Sequence, residues 1–441
     1  MKIPQGYELR DFQVPGVEHL IGGRHKLLLD DMGLGKTVQS IVAFNTLGAK
    51  SVLIHCPPAV KWGWAKEIEE WSVGKYRVDV VEGMFHEFDP KAHITICPYN
   101  LLDSGSNRMN ILRGKYAVGI ADEIQFLKEG SSNRTANVFG RRPGRAGPRI
   151  TGTFSRCYYR WGLTGTLMLN RPVELFYVLR TMGAEYVPEK YLNYIKYANR
   201  FCGRYKTLRG WDVKGATNLD ELSSLLFDSG FALRRTKKEV LKDLPPCIIK
   251  LLPVKNGTVG AETINKVDLK APKLGISAGE MATLRKDTAL EKLKECVTYI
   301  KEQLESHEKI VIFCWTREIV SSIMRELKQY KPVDYYGATT TARKEINKKA
   351  FIEEEEVRLF VANISSAGTG LNGLQHVCSK AIFVESDWTP SGTSQAVARL
   401  ERMGQEENVS VDILFAQGTL EEYILRKAFD KEKRIDKLMR H

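Results

Sequence analysis

Residues 26–44, KLLLDDMGLGKTVQSIVAF, constrain this 441-residue chain more than any other segment. A short apolar run enters a glycine-punctuated turn, and the turn opens directly into a helical pattern. A loop that grips phosphates needs this order of strand, loop and helix. Gly33 and Gly35 let backbone N–H groups approach an anion closely, and the start of the helix adds its dipole. Lys36 then supplies a point charge to β- and γ-phosphates and Thr37 a hydroxyl to Mg2+, with Met32 and Leu34 completing the wrap. Asp30 stands where the generic GxxxxGK[ST] pattern has its first glycine. A chance glycine turn is the alternative, and the flanking strand and helix patterns count against it.

The rest of the chain predicts an α/β protein. Strands are expected at 26–29, 51–56, 77–82, 93–97, 116–121 and 159–164, with amphipathic segments such as 37–47 and 62–71 between some of them. This first core occupies 1–171. Residues 172–244 are rich in aromatics and charge and read as a mainly helical insertion or extension. Residues 245–273, with Pro245, Pro246, Pro253, Gly257, Gly260 and Pro272, read as a linker. A second core over 274–441 has helical periodicity at 284–306 and strands expected at 309–314, 333–336, 357–362, 381–385 and 409–415. It closes with a helix from Thr419, where Thr419 and Glu422 make a capping box. The length exceeds what one ordinary core holds.

Composition narrows the function classes. Hydrophobic residues make up 43% of the chain, yet no run approaches the ~20 apolar residues of a membrane helix. The N-terminal MKIPQGYELRDFQ lacks the apolar run of a secretory signal, so a soluble, intracellular protein (of cytoplasm or nucleoid, or of a host cell if viral) is expected. Eight scattered cysteines include no CxxC pair, which points to reduced core thiols rather than zinc or disulfides. The formal net charge of +13 suits a polyanionic partner, with a merely solvated basic surface as the alternative. The same choice holds for the loop FGRRPGRAGPR, 139–149, whose Arg141, Arg142, Arg145 and Arg149 either grip phosphates or face water.

Two further constellations fit the phosphate loop. YAVGIADEIQ delivers Asp122 and Glu123 at the end of an apolar strand, where Asp122 can hold Mg2+ and Glu123 can polarise an attacking water. Far away, QAVARLERMGQ places Arg399 and Arg402 three residues apart, on one face if the segment is helical. Two such cations on a second core can stabilise charge on a γ-phosphate held by the first, which requires the cores to close. A solvated helix face is the plainer account of Arg-x-x-Arg taken alone.

The order of these pieces resembles the helicase motifs of superfamily two, in the form carried by Swi/Snf-type DNA translocases. YELRDFQ is similar to that family's adenine-recognition segment, which makes Gln13 the adenine reader. DDMGLGKTVQS matches its phosphate loop, acid at position 30 included. CPPAVKWGW, 56–64, resembles the segment that touches the DNA backbone, and DEIQ fills the DEAH slot. LTGTL (163–167), SSAGTGLN (365–372, with Gly370) and QAVARLERMGQ follow in family order. Gln125 replaces His, Leu167 replaces Pro and Glu401 replaces His. The middle of the chain, GWDVKGATNLDELSSLL and FALRRTKKEVLKDLPP, is similar to the HepA-related annealing helicases.

The resemblance implies two RecA-like parallel-sheet domains in tandem, ATP and Mg2+ as cofactors, and a monomeric motor on duplex or branched DNA. It implies backbone contacts with weak sequence preference, for which Lys61, Trp62, Thr339 and Arg343 are candidates, Trp62 equally as packing and Arg343 equally as an ion-pair partner. No segment reads as an obvious strand-separating hairpin wedge. A strand-separating DNA or RNA helicase, and a motor that displaces DNA-bound proteins with 172–244 as its docking region, are the alternatives.

Overall fold

A computed structural model describes residues 1–143, 148–165, 171–208, 210–254, 278–367, 371–387, 390–426 and 428. The chain forms two units, the first built on Met1–Val240 and the second on Leu241–Lys433.

In the first unit, β1 (His25–Leu28), β2 (Val52–Cys56), β3 (Val78–Val80), β4 (Ile94–Pro98), β5 (Tyr116–Asp122) and β6 (Cys157–Leu163) form where apolar runs predict them. β7 (Tyr205–Thr207) and β8 (Gly210–Asp212) make a separate antiparallel hairpin, and β9 (Ala232–Leu233) returns to the main sheet. Among the described residues that sheet runs β3-β4-β2-β5-β6-β1-β9, with every pairing parallel. β1, β2 and β4 are buried along their whole length. Strands covered on both faces read as continuous apolar runs rather than alternating ones. The connection from β1 to β2 passes over β6 and β5, so the loops that follow β1, β6 and β5 open side by side at the carboxyl edge of the sheet. Parallel α/β sheets bind ligands at such an edge.

The helix Lys36–Leu47 runs between two glycines in left-handed conformation, Gly35 (φ 75°) and Gly48 (φ 64°). Its Ile41, Val42 and Phe44 pack with Leu28, Ile54 and Trp161 on one face of the sheet. The opposite face, carrying Leu27, Leu53 and Ala121, is covered by Phe176, Leu179, Tyr197, Phe201 and Leu222. These come from helices Phe176–Met182, Tyr194–Phe201 and Leu219–Phe227, inside the span expected as a helical extension. Each such side chain contributes roughly 1.5–3 kcal/mol by burial. The extension therefore supplies much of the packing on that face, and through β9 it is part of the sheet as well.

The second unit contains β10 (Cys247–Val254), β11 (Ile310–Cys314), β12 (Val333–Tyr335), β13 (Leu359–Asn363), β14 (Lys380–Phe383) and β15 (Val409–Ala416). Their order is β10-β15-β14-β11-β13-β12, again all parallel. β10 corrects the linker expected over 245–273. It sits at a sheet edge, where Pro253 is tolerated because one side of an edge strand has no ladder to donate to. The remainder of that span lies outside the described residues. The helical pattern at 284–306 divides into Ala278–Glu291 and Leu293–Ser306 around Lys292. The buried Lys292 ammonium donates to Glu421 at 2.7 Å and to the Leu414 carbonyl at 2.8 Å. At the closing helix, Thr419 Oγ1 accepts from Glu421 N, whereas the Glu422 carboxylate takes the N–H of Gly418 and not that of Thr419.

Candidate nucleotide site

The phosphate loop leaves β1 at its carboxyl end. Gly33 (φ 87°) and Gly35 (φ 75°) both hold the left-handed conformation that favours glycine. At Gly35 a Cβ would stand 2.4 Å from Gln13 Nε2, so any side chain there would push the Gln13 amide aside. Gln13 is buried; it donates to Leu34 O at 3.3 Å and accepts from Arg10 N at 3.0 Å, which fixes its amide beside the loop. Lys36 Nζ donates to the carbonyls of Asp30 (2.5 Å) and Asp31 (3.1 Å). Burial pulls this ammonium below its ordinary pKa, opposed by the carboxylates of Glu123 and Asp30. Leu34 is buried, Thr37 is half-buried in the first helical turn, and Met32 lies against the turn after β6, where a Cβ on Gly165 would meet Met32 Cγ at 2.9 Å.

Asp30, the departure from the generic loop, faces inward. Its carboxylate is fully buried and accepts from Arg235 Nε at 2.9 Å, Arg235 N at 3.1 Å, Arg235 Nη2 and Gln39 Nε2 at 3.1 Å. Arg235 Nη2 also donates to Gln39 Oε1 at 2.8 Å. Gly16, on the helix that follows Gln13, packs so closely that a Cβ would overlap Gln39 Oε1. Asp31 accepts from Lys237 N at 3.0 Å and faces Arg234 at 3.6 Å. Residues 234–237, directly after β9, thus belt the loop from beneath. None of Gly16, Gln39, Arg234 or Arg235 is singled out by the sequence pattern. The available signal was the acid itself, since a buried carboxylate needs a cation.

At the end of β5, Asp122 Oδ2 accepts from Trp64 Nε1 at 2.8 Å, Oδ1 accepts from Glu123 N at 3.0 Å, and its backbone carbonyl accepts from Tyr99 Oη at 2.7 Å. Burial raises the Asp122 carboxyl to about 7, with the Glu123 charge adding and Trp64 and Lys36 opposing. Glu123 has φ 52°, a left-handed conformation that costs a non-glycine residue energy and is retained where the surroundings fix it. Its Oε2 accepts from Gln125 Nε2 at 2.6 Å and, weakly, from Thr164 Oγ1 at 3.4 Å. Gln125 thus holds the Glu123 carboxylate within the DEIQ segment. The loops after β1, β5 and β6 meet at one place.

The set fits a magnesium nucleoside triphosphate. Gly33 and Gly35 hold the left-handed turn (φ 87° and 75°), Lys36 can exchange its carbonyl partners for phosphate oxygens, and the buried Gln125 Oε1 lacks a protein hydrogen-bond donor. Among the described residues no three or more His, Cys, Asp or Glu gather in one place. Mg2+ at such a site needs only a hydroxyl and one carboxylate, here Thr37 and Asp122, with phosphates and water completing its shell.

The second unit modifies one expectation. The helix Pro390–Val397 ends before the arginine pair, so Arg399 and Arg402 sit on tight turns and not on one helical face. Buried Gln405 closes the segment by donating to Cys378 O at 3.1 Å. Arg402 Nη1 donates to Asn372 Oδ1 at 2.6 Å, linking QAVARLERMGQ to the SSAGTGLN segment. Gly370 lies outside the described residues.

Among the candidate DNA contacts, Trp62 is 50% exposed, and Lys61 lies 5.5 Å over its ring while donating to Val81 O. Thr339 Oγ1 is committed to Asp334 at 2.9 Å. Arg343 is exposed on helix Thr341–Glu353. Arg141 bridges Ile150 at the base of the arginine loop and Arg142 is exposed, while Arg145 lies outside the described residues. All eight cysteines are free thiols and no described helix is long and apolar enough to cross a membrane.

A nucleotide edge on one parallel α/β sheet, followed by a second sheet of the same kind, defines a two-core ATPase with RecA-like domains in tandem. A family model described as SNF2-related domain matches residues 12–309, and one described as Helicase conserved C-terminal domain matches 289–404. The chain belongs to the SNF2-related family, the Swi/Snf-type branch of superfamily-two helicase ATPases. It is 27% identical over 421 residues to the mouse "DNA annealing helicase and endonuclease ZRANB3", covering 90% of this chain and 37% of that protein. It is 28% identical over 436 residues to the Xenopus tropicalis "SWI/SNF-related matrix-associated actin-dependent regulator of chromatin subfamily A-like protein 1", covering 95% of this chain and 44% of that one. The chain thus spans about two fifths of the length of these curated relatives. The solved structure titled "Sulfolobus solfataricus SWI2/SNF2 ATPase core in complex with dsDNA" aligns over 100% of this chain and 98% of its own, at 21% identity and a TM-score of 0.46.

Proposed function

We propose that this chain couples ATP hydrolysis to translocation on duplex DNA and remodels branched DNA by strand annealing or fork regression. The convergence of Lys36, Asp122, Glu123 and Thr164 on one sheet edge carries the hydrolytic half of this reading. The net charge of +13 and the names of the curated relatives support the DNA half. Gln13 reads adenine, and Met32, Gly33, Leu34, Gly35 and Gly370 line the nucleotide. Lys36 leaves the Asp30 and Asp31 carbonyls for the β- and γ-phosphates. Thr37 and Asp122 hold Mg2+. Glu123, steered by Gln125, orients and polarises the attacking water. Arg399 and Arg402 stabilise the charge that develops on the γ-phosphate. Lys61, Trp62, Arg142 and Arg343 are the favoured DNA contacts, and Thr339 and Arg141 act through the turns they hold. The motor works as a monomer, with residues 172–244 available to protein partners.

The deciding assay compares wild type, Lys36→Ala and Glu123→Gln for ATPase activity with linear duplex, single strand, fork and RNA, together with fork regression and annealing. Duplex and fork DNA should stimulate the wild type. Glu123→Gln should lose about 10²–10⁴-fold in turnover while still binding DNA. Full turnover in that variant, or stimulation by RNA alone, rejects the proposal.

A further inference from the structure

The β7–β8 hairpin is a two-stranded sheet of its own, with no strand pairing to the main sheet of its unit among the described residues. Its register pairs Tyr205 with Asp212, Lys206 with Trp211 and Thr207 with Gly210. Directly paired residues share a face, and alternate residues along a strand do too. Arg204, Lys206 and Trp211 therefore lie on one side. The Arg204 guanidinium stacks on the Trp211 ring at 3.6 Å, and the indole is still 56% exposed. Tyr205 (58% exposed) occupies the other side, and Leu208 projects fully from the tip.

Two three-residue strands are not stable alone, and this hairpin is held at its root. Thr217 N donates to Phe201 O at 2.9 Å, Thr217 Oγ1 and Asn218 Nδ2 both donate to Arg200 O at 2.7 Å, and a Cβ on Gly215 would press the Cys202 carbonyl at 2.7 Å. A fixed projection that exposes an indole, a phenol and a leucine contributes nothing to the core of its own unit. Over 204–214 the sequence carries Arg204, Lys206, Arg209 and Lys214 against the single acid Asp212, and Asp212 is occupied by the backbone N–H of Lys214 at 2.7 Å.

We propose that this hairpin is a docking element for unpaired bases at a DNA branch. A nucleobase stacks on Trp211, while Arg204 and Lys206 take the flanking phosphates. An exposed aromatic flanked by cations suits single-stranded nucleic acid, whose bases offer π-faces that an intact duplex hides within its stack. The assignment rests on the DNA reading above and adds a specificity element to it: the hairpin would distinguish branched from continuous duplex.

The test uses the full chain without nucleotide. Its probes are a fork carrying 2-aminopurine at the first unpaired position and a linear duplex of equal length, with wild type, Trp211→Ala, Trp211→Phe and Tyr205→Ala compared by fluorescence titration. For Trp211→Ala the ratio of fork to linear affinity should fall about 5- to 150-fold, the loss expected for one stacking platform. Trp211→Phe should restore most of it, and wild type should quench the probe base. An unchanged ratio in Trp211→Ala, in protein whose thermal unfolding matches wild type, overturns the hairpin assignment and leaves the translocase reading standing. So does an equal loss on both DNAs, or a protein partner whose capture alone depends on Trp211. If wild type binds neither DNA, the translocase reading fails and the hairpin assignment falls with it.

Discussion

Asp122 must be ionised to hold a metal, yet burial and the adjacent Glu123 raise its carboxyl from 3.8 to about 7. In the proposed site Mg2+ would bind the carboxylate, so loading it would release a proton. Affinity for the Mg2+–nucleotide complex should weaken as the pH falls from about 8 to about 6, approaching tenfold per pH unit below the folded pKa. Isothermal titration in two buffers of different ionisation heat would measure the released proton, and Asp122→Asn should abolish the dependence. The stability effect has the opposite sign. A raised carboxyl pKa means that the free folded chain binds more protons than the unfolded chain between 3.8 and about 7. Its contribution to stability therefore declines as the pH rises through that window, and Mg2+ binding offsets the decline. Residue chemistry at this site was largely legible: a glycine pair, a lysine and two carboxylates at strand ends carry their roles in their types. Trp64, Tyr99 and Thr164 were not, because nothing in a linear pattern says which side chain reaches a carboxylate 58 positions away, as Trp64 does.

Elements were legible in proportion to their burial and length. Strands covered on both faces announce themselves as apolar runs. The two-residue β9 lies in a charged segment and gives no periodicity, and β10 is masked by its prolines. The helix expected to carry Arg399 and Arg402 ends at Val397, and turns follow up to the buried Gln405, which donates to the Cys378 carbonyl. The contact between β9 and the phosphate loop yields a prediction of its own. Arg235→Ala leaves the buried Asp30 carboxylate without its cation, which costs about 3–5 kcal/mol. Urea unfolding should show this loss, and adding Asp30→Ala should cost less than the sum of the single changes. Arg235→Lys keeps the charge but loses the two-pronged geometry. It should recover only part of the stability, and nucleotide affinity should stay below wild type.

For the whole molecule, the charge balance sets how the proposed DNA contacts respond to salt. If 6–10 phosphates are neutralised, affinity for duplex should drop about 10³–10⁵-fold between 50 and 200 mM salt. Fluorescence anisotropy across that range would measure the slope, and a flat response would exclude backbone tracking. The bond from Arg235 to Asp30 has a consequence for biogenesis. It joins residues 205 positions apart, and chains are made from the N-terminus. At about 5–20 residues per second, the loop waits roughly 10–40 s on the ribosome for its arginine. A nascent chain stopped short of β9 holds an acid that its own fold cannot yet bury, so a truncated product is held open to chaperones and proteases. The phosphate loop is therefore expected to reach its described geometry only once β9 and Arg235 have been made.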